Sequence, residues 1–268
     1  MRLGKRLYSL VMFVVVSALG GLLIAGLAVP LAGMTSEVGK TTATAMDSLP
    51  AELSMPPQAQ RSRVLMADGS PLVNFYEENR QYVTLDKIAP VMQKAQIAIE
   101  DHRFYHHGAI DLTGMARAAA GNVAGSSTSG GSTLTQQYVK LVRVQIAQEN
   151  GDEDGMRRAQ EQTISRKIIE MRYAVAMEKK LSKDQILERY LNIAYYGDQT
   201  YGVQAAATHY FGIDAKDLNL EQSALLAGLV QSPSVTDPVN YTAAALQRRN
   251  VVLNRVLQLD TEDPAWFQ

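Results

Sequence analysis

The sequence contains no cysteine, so disulfide bonds, thiolate metal sites, iron–sulfur clusters and a cysteine nucleophile are excluded. It also lacks an excess of either charge, since 26 Lys and Arg residues against 27 Asp and Glu residues give a formal net charge of -1. A uniform electrostatic attraction to nucleic acid is therefore excluded, and any basic site must be local. No internal repeat is present. What remains is a chain of 268 residues, 46% hydrophobic and 20% charged, which is the composition of a folded protein.

A long uncharged segment occupies the N-terminal region. Residues 7–36 carry no charge and include a continuous apolar run, whereas a bilayer-spanning helix needs about 20 residues. A signal-peptide apolar region is only about 7–15 residues long, so residues 7–33 are predicted to be an uncleaved transmembrane anchor. Basic residues in positions 1–6 place this short tail in the cytoplasm by the positive-inside rule. We therefore expect a single-pass protein of the cell membrane with an extracytoplasmic working domain.

The rest of the chain divides by composition. Residues 34–62 are rich in Ser, Thr, Ala and Pro without a buried face, which predicts a stalk or linker. Next, Asp68-Gly69 between two apolar stretches predicts a β-hairpin. After Asp86 apolar residues recur at helical spacing, which predicts a mainly α domain. Two helical faces are formed by Met92, Ala95, Ile97 and Ala98, and by Ile186, Leu187, Tyr190, Leu191 and Ala194. Within this domain, the Gly- and Ser-rich segment 121–133 predicts a mobile loop, and the polar segment 147–162 predicts a solvated loop or surface helix.

The first segment with chemical potential is AIEDHRFYHHGAID. Glu100 and Asp101 end an apolar helical run, and apolar neighbours raise the pKa of a partly buried carboxyl. Two adjacent acids in different surroundings can take different catalytic roles. Local spacing alone leaves open that both are surface acids or helix caps. The adjacent pair His106 and His107 does not have the i, i+4 spacing of a zinc helix, so a zinc site is disfavoured.

Two further segments carry polar groups at helical spacing. GGSTLTQQYVK, from Gly130 to Lys140, combines close backbone approach with hydroxyls at a helix start, which suits a sugar or phosphate. The alternative is a Ser/Thr helix cap, and the residue order is not that of a P-loop. In SRKIIEMRY, Arg166 and Glu170 are four residues apart, with Tyr173 three further on. This spacing places basic residues beside an acid on one side of a helix, which could form a charged site. The same spacing is typical of an ordinary surface ion pair.

Taken in order, these segments resemble glycosyltransferase family 51, the peptidoglycan glycosyltransferase domain of class A penicillin-binding proteins and of monofunctional peptidoglycan polymerases. The resemblance runs from about Arg63 to Leu257 and assigns residues 63–258 to that domain, with 259–268 as a linker start or C-terminal tail. It implies a lysozyme-like helical head and a small mobile jaw at roughly 108–131. The matching blocks are IAIEDHRFYHHGAID, GGSTLTQQYVK, SRKIIEMRYAVAME, LSKDQILERYLNIAYYG, YGVQAAATHYFG and LNLEQSALLAGLVQSP.

The resemblance implies an enzyme that polymerises lipid II into β-1,4-linked glycan strands and releases polyprenyl diphosphate. Glu100 matches the general base and Glu170 the second catalytic glutamate. Lys140, Arg166 and Lys167 match the cations that stabilise the departing diphosphate. The other substrate-binding residues that it implies are Asp101, Phe104, His107, Ser132, Thr133, Gln136 and Gln137.

The same resemblance implies the ligands and partners. No metal site formed by the protein alone is expected, but a divalent cation, Mg²⁺ or Mn²⁺, is expected to bridge the donor diphosphate near Glu170. No organic cofactor is expected. The expected partners are lipid II, the growing glycan strand, membrane lipid and cell-wall synthesis proteins, with no nucleic acid.

The sequence departs from the family pattern at three positions. Leu141 stands where the family usually has Asn, and Gln199 where it commonly has Gly. Gln162 replaces a diphosphate-contacting Arg, and we predict that Arg157 or Arg158 takes its place. The S-x-x-K and K-T-G motifs of a transpeptidase are absent. The predicted hairpin and the end of the chain soon after the matched region favour the N-terminal part of a bifunctional penicillin-binding protein.

Two alternatives remain at this point. A lysozyme-like muramidase or lytic transglycosylase also uses a glutamate in a helical fold, but it needs neither the GGSTLTQQ segment with Lys140 nor the basic pair at 166–167. A non-catalytic membrane-tethered cell-wall scaffold is the other alternative, because Leu141 and Gln162 depart from the family pattern.

Overall fold

The computed structural model describes residue 53 and residues 57–76, 78–123 and 130–264. The predicted tail at 1–6, the predicted anchor at 7–33 and most of the predicted stalk at 34–62 lie outside these described residues. Among the described residues, none of the helices combines the length and the apolar character needed to cross a bilayer.

The described part of the chain is mainly helical, which confirms the mainly α character predicted for the domain. Its ten α-helices are α1 (Pro90–Glu100), α2 (Leu112–Val123), α3 (Leu134–Glu149), α4 (Glu153–Gln160), α5 (Ile164–Glu178), α6 (Lys183–Ile193), α7 (Val203–Phe211), α8 (Leu220–Leu229), α9 (Pro233–Thr236) and α10 (Thr242–Glu262). Its four short strands are β1 (Ser62–Leu65), β2 (Pro71–Phe75), β3 (Asn79–Arg80) and β4 (Thr200–Tyr201).

The strands form two small sheets. β1 and β2 pair antiparallel, with Val64 opposite Val73, and the predicted hairpin is therefore confirmed. At its turn Gly69 has a φ of 83°, and the Asp68 carboxylate accepts a hydrogen bond from the Ser70 backbone at 2.9 Å. β3 and β4 pair in parallel and join the segment before α1 to the loop after α6.

The core forms around α8, the most apolar helix, which packs against α1 and α10. An Asn219–Gln222 capping box begins α8, so its first backbone N–H groups are satisfied before the apolar residues start. Met92 of α1, Leu226 of α8 and Val252 of α10 are each 0% exposed. The helical faces predicted in α1 and α6 are buried, so the end of α1 is held rigidly against this core.

The structure refines three predicted boundaries. α2 continues to Val123, into the segment 121–133 predicted to be a loop, and residues 124–129 of that segment lie outside the described residues. The polar segment contains the surface helix α4, which Asp152 caps and whose Ala159 is buried. α10 runs to Glu262, beyond position 258, because Leu259 is still buried on the core.

Gly202, at the start of α7, sits where a larger residue does not fit. Its φ is 81°, and a Cβ there would lie 2.8 Å from the Asn192 carbonyl oxygen. We expect Gly202→Ala to lower the free energy of unfolding by about 2 kcal/mol, as measured by urea denaturation. Gly69→Ala is the matched control, because Gly69 has a φ of 83° with nothing within 4 Å. Equal losses in the two variants would show that the clash at Gly202 is not the cause.

Candidate active site

A polar cleft opens beside the C-terminal end of α1. It encloses about 420 Å³ of space open to solvent. Glu100, the last residue of α1, lies in its wall, and the segment before α3 forms the opposite side. The described residues that line it are Ala98, Ile99, Glu100, Asp101, His102, Asp111, Gly114, Arg117, Gly130, Gly131, Ser132, Thr133 and Arg255.

Glu100 has the electrostatic surroundings of a proton acceptor. Burial raises the pKa of its carboxyl, and the neighbouring Asp101 charge acts in the same direction. A hydrogen bond from Gln137 and the charge of Arg248 oppose the rise. Gln137 donates from Nε2 to Glu100 Oε2 at 2.7 Å. A carboxylate with a pKa moved towards neutrality accepts a proton more readily than a solvated one.

The side chain of Gln137 also accepts a hydrogen bond from a buried tyrosine. The hydroxyl of Tyr190 donates to Gln137 Oε1 at 3.2 Å, and Tyr190 is 0% exposed. Sequence reasoning missed this contact, because the position of Tyr190 on the apolar face of α6 indicates only core packing.

The Asp101 carboxylate connects three segments around the cleft through hydrogen bonds. Its Oδ1 lies 2.7 Å from His107 Nε2, and its Oδ2 accepts a hydrogen bond from the Leu134 backbone N–H at 2.9 Å. His107 Nδ1 in turn lies 2.6 Å from the Gly108 carbonyl oxygen. A carboxylate at the first residue of α3 is favoured by the unsatisfied N–H groups there. Asp101 therefore joins the end of α1, the loop after it and the start of α3.

Thr133 and Gln136 connect the start of α3 to the loop that precedes α2. Thr133 caps α3, since its hydroxyl accepts a hydrogen bond from the Gln136 backbone at 3.2 Å. Both side chains also donate to the Ala109 carbonyl oxygen, at 2.9 and 3.0 Å. Both residues are almost fully buried, and Thr133 lines the cleft together with the neighbouring Ser132. The Ser/Thr cap considered from the sequence is present, and it lies at the edge of the cleft.

Two arginines, Arg117 and Arg255, line the cleft together with the acidic side chains. The pKa of His102 is lowered to about 4, first by burial and then by the charges of Arg255, Arg117 and Arg103. Arg117 and Arg255 line the cleft, while Arg103 forms an ion pair with Asp111. Sequence reasoning gave no role to Arg117, which lies in the predicted jaw, or to Arg255, because local spacing does not show which side chains reach the cleft. The guanidinium groups of Arg117 and Arg255 are groups in the lining that can pair with an anion.

Eight predicted site residues are not among the described residues that line the cleft, namely Phe104, His107, Gln136, Gln137, Lys140, Arg166, Lys167 and Glu170. Phe104 is 0% exposed and packs in the core, with Lys183 Nζ 4.5 Å from its ring centroid. Glu170 is 2% exposed on α5. Lys140 is partly exposed on α3, three residues after Gln137 and so on the same side of that helix. Phe104 thus supports the loop after Glu100 from within the core.

The two basic residues near the start of α5 belong to a separate short stretch of the chain. Arg166 and Lys167 lie in Thr163–Ile169, which falls outside the compact unit formed by Ala51–Gln162 and Glu170–Gln268. Within that short stretch the Thr163 hydroxyl accepts a hydrogen bond from the Arg166 backbone at 3.2 Å. The approach of Arg166 and Lys167 to the Glu100 carboxylate stays a prediction.

Arg157 and Arg158, the predicted substitutes for the arginine missing at position 162, lie on the surface helix α4. Arg157 pairs with Asp154 at 2.7 Å and Arg158 with Asp152 at 3.2 Å, and all four side chains are exposed. Exposed pairs of this kind are weak. The proposed replacement also stays a prediction.

A group with metal-ligand chemistry lies away from the predicted cation position. Among the described residues, ligand atoms of Asp101, His107 and Asp111 all lie within 4.8 Å of one another. However, Asp101 is bonded to His107 and the α3 backbone, and Asp111 is paired with Arg103. These partners already balance the charges, so the group fits a hydrogen-bond network better than a cation site. Glu170 is not part of it, and a cation there stays a prediction.

Comparison with known proteins places this geometry in a family. Residues 68–257 match the family described as Transglycosylase. The chain is 41% identical over 196 residues to penicillin-binding protein 1A of Escherichia coli (strain K12), covering 73% of this chain and 21% of that protein. It is 40% identical over 204 residues to penicillin-binding protein 1A of Aquifex aeolicus (strain VF5), covering 76% and 26%. The chain thus spans about a quarter or less of the length of these relatives.

A solved structure was also matched. The chain aligns with the crystal structure of penicillin-binding protein 1A from Haemophilus influenzae with a TM-score of 0.39 and 20% identity, over 80% of this chain and 20% of that one. The sequence matches cover the cleft-lining residues from Ala98 to Arg255, and they confirm the resemblance drawn from the ordered blocks. The chain belongs to the transglycosylase family, glycosyltransferase family 51, and is related to the glycosyltransferase domains of penicillin-binding proteins 1A.

Proposed function

We propose that this chain polymerises lipid II into β-1,4-linked glycan strands with release of polyprenyl diphosphate. The observation that carries the proposal is the Glu100 carboxylate, with a raised pKa, in a cleft that Arg117 and Arg255 also line. The Glu100 carboxylate can accept a proton, and the guanidinium groups of Arg117 and Arg255 can pair with an anionic leaving group. A muramidase needs the first feature and not the second, since it cleaves a neutral glycosidic bond.

The proposed reaction is an inverting displacement at a sugar carbon. Glu100 accepts the proton of the acceptor's 4-hydroxyl as that oxygen forms a bond to C1 of the lipid-linked donor sugar. The bond between C1 and the diphosphate oxygen breaks, and its electron pair stays on the diphosphate. The α-linked donor therefore becomes a β-linked product. Glu100 must be ionised before the step.

Fixed cations lower the barrier by meeting charge that develops in the transition state. As the bond to C1 breaks, negative charge grows on the phosphate oxygens, and positive groups already in place need no reorganisation. Arg117 and Arg255 supply such charge in the cleft. Lys140, Arg166 and Lys167 are proposed to add to it, with Glu170 orienting the basic pair or a divalent cation.

The wider context follows from the same proposal. A lipid-linked donor confines the reaction to a membrane surface, which suits the predicted anchor at 7–33 and an extracytoplasmic domain in the cell envelope. Membrane lipid and cell-wall synthesis proteins are the proposed partners. A lysozyme-like head with a jaw at roughly 108–131, and a following transpeptidase domain, complete the proposed architecture.

Arg255 provides a test of the cleft's charge. We expect Arg255→Gln to raise the pKa of His102 from about 4 towards its ordinary 6.5, because Arg255 is the largest charge acting on that imidazole. Binding of lipid II should weaken about tenfold with the loss of one cation. NMR titration of His102 and a binding assay measure the two effects. Arg249→Gln, on the same helix and bonded to Asn250, is the control. An unchanged His102 would show that Arg255 does not act in the cleft.

One experiment distinguishes the three candidate functions. The purified chain is incubated with labelled lipid II in vesicles and, separately, with preformed peptidoglycan. Long labelled strands from lipid II, with no fragments from peptidoglycan, are expected of the polymerase. Soluble fragments from peptidoglycan would overturn the proposal in favour of a muramidase, and no product from either substrate would favour a scaffold.

A further inference from the structure

We propose that Tyr190 is a positioning residue that acts through Gln137 to keep Glu100 ionised as a proton acceptor. This inference rests on the proposed function, because it assigns Glu100 the role of base. The side chains of Tyr190, Gln137 and Glu100 form one hydrogen-bonded series from the core to the cleft. These three side chains are called the relay.

The geometry of the relay is directional. The Tyr190 hydroxyl lies 3.2 Å from Gln137 Oε1, and Gln137 Nε2 lies 2.7 Å from Glu100 Oε2. Tyr190 comes from α6, Gln137 from α3 and Glu100 from α1, so three helices of the core set its geometry. Tyr190 is 0% exposed, so bulk water does not reach its hydroxyl, and Gln137 is the partner that the structure gives it.

The hydroxyl proton decides which way the amide of Gln137 points. With Oε1 towards Tyr190, the amide NH₂ faces Glu100, and a carboxylate is the acceptor that it needs. If the amide were reversed, its oxygen would face Glu100, which would then have to carry a proton to donate. The reversed state would also leave the buried tyrosine proton without its acceptor. Tyr190 therefore favours the amide orientation that stabilises ionised Glu100.

The other charged groups around Glu100 do not depend on this amide. Asp101 follows Glu100 in the chain, and Arg248 approaches from α10. His102, Asp111, Arg117 and Arg255 line the same cleft. Burial raises the pKa of Glu100, and the hydrogen bond from Gln137 is the largest opposing influence. Loss of that bond should thus raise the pKa further.

Tyr196 provides a matched control for Tyr190, because it is a buried tyrosine that is not part of the relay. It is also 0% exposed, but among the described residues its hydroxyl has no hydrogen-bond partner. Tyr190→Phe and Tyr196→Phe each remove one buried hydroxyl and keep the ring. Any general effect of the deletion on packing is shared by both variants.

The test is a ¹³C NMR titration of the Glu100 carboxyl together with the pH dependence of kcat/KM for lipid II. We expect Tyr190→Phe to raise the pKa of Glu100 by about 0.5 to 1 unit and to move the acidic limb of kcat/KM by the same amount. Below the midpoint this is a loss of about three- to tenfold in rate. Tyr196→Phe should move neither quantity.

A third variant tests whether Tyr190 acts through Gln137. In a Gln137→Met background the relay is already broken, so adding Tyr190→Phe should cause no further shift. A shift that persists there, or equal shifts in Tyr190→Phe and Tyr196→Phe, would overturn the relay. A wild-type chain that makes no glycan would instead overturn the proposed function, and the NMR titration would still decide the relay.

Discussion

Glu100→Gln is expected to abolish lipid II polymerisation, with a loss of at least about 10³-fold in kcat/KM. The variant amide keeps the size of the side chain, and its oxygen can still accept the hydrogen bond that Gln137 donates to Glu100 at 2.7 Å. An amide cannot take the proton of the acceptor hydroxyl, so only the chemical step is removed. The measurement is the rate of strand formation from labelled lipid II with the full chain.

Glu161→Gln is the matched control for this substitution. Glu161 is exposed at the end of α4, so the variant loses one carboxylate without touching the cleft. It should polymerise at the wild-type rate. Activity of Glu100→Gln within tenfold of that rate would mean that another group accepts the proton, and the proposed mechanism would be wrong.

Glu100→Gln should also stabilise the protein at neutral pH. Burial raises the pKa of Glu100 above its ordinary 4.5, so the folded state holds this proton more tightly than the unfolded state does. Stability from this group is therefore lost as pH rises from about 4.5 through the folded pKa. Glu100→Gln has no such loss. Urea unfolding should show similar stabilities near pH 4 and a more stable variant at pH 7.

Asp101→Ala is expected to have the largest effect on stability, lowering the free energy of unfolding by about 4 kcal/mol. The substitution removes the acceptor of the Leu134 N–H and the partner of His107. Each hydrogen bond to a buried charge contributes about 1.5–3 kcal/mol, and the backbone N–H is left buried without a partner. Chemical denaturation measures the loss, and polymerisation should fall because the start of α3 shapes the cleft.

Asp101→Asn is the control that separates the hydrogen bonds from the charge. The asparagine oxygen can accept from Leu134 N–H, while its NH₂ donates to Nε2 of neutral His107. The other ring nitrogen of His107 then donates to the Gly108 carbonyl at 2.6 Å. This variant should lose only about 1 kcal/mol. Equal losses for Asn and Ala would show that these two hydrogen bonds are not what Asp101 contributes.

The sequence by itself determined the features that arise within a few residues. Asp68-Gly69 predicts the hairpin because its turn depends on the conformational preferences of two adjacent residues. The apolar spacing in α1 and α6 predicts their buried faces, since a helix brings residues three and four apart together. The ordered sequence blocks also identified the family, and through the family they predict Glu100 as the general base.

Only the tertiary structure decided the surroundings of the Glu100 carboxyl. Its hydrogen bond from Gln137 joins residues 37 positions apart, and the bond from Tyr190 to Gln137 joins residues 53 apart. Arg117 reaches the cleft from α2, the next α-helix, whereas Arg255 reaches it from α10 near the end of the described residues. No local pattern encodes such contacts, because they exist only after separate helices pack on one core. Charge, burial and hydrogen bonding at a carboxyl depend on that packing, so its protonation is a property of the folded chain.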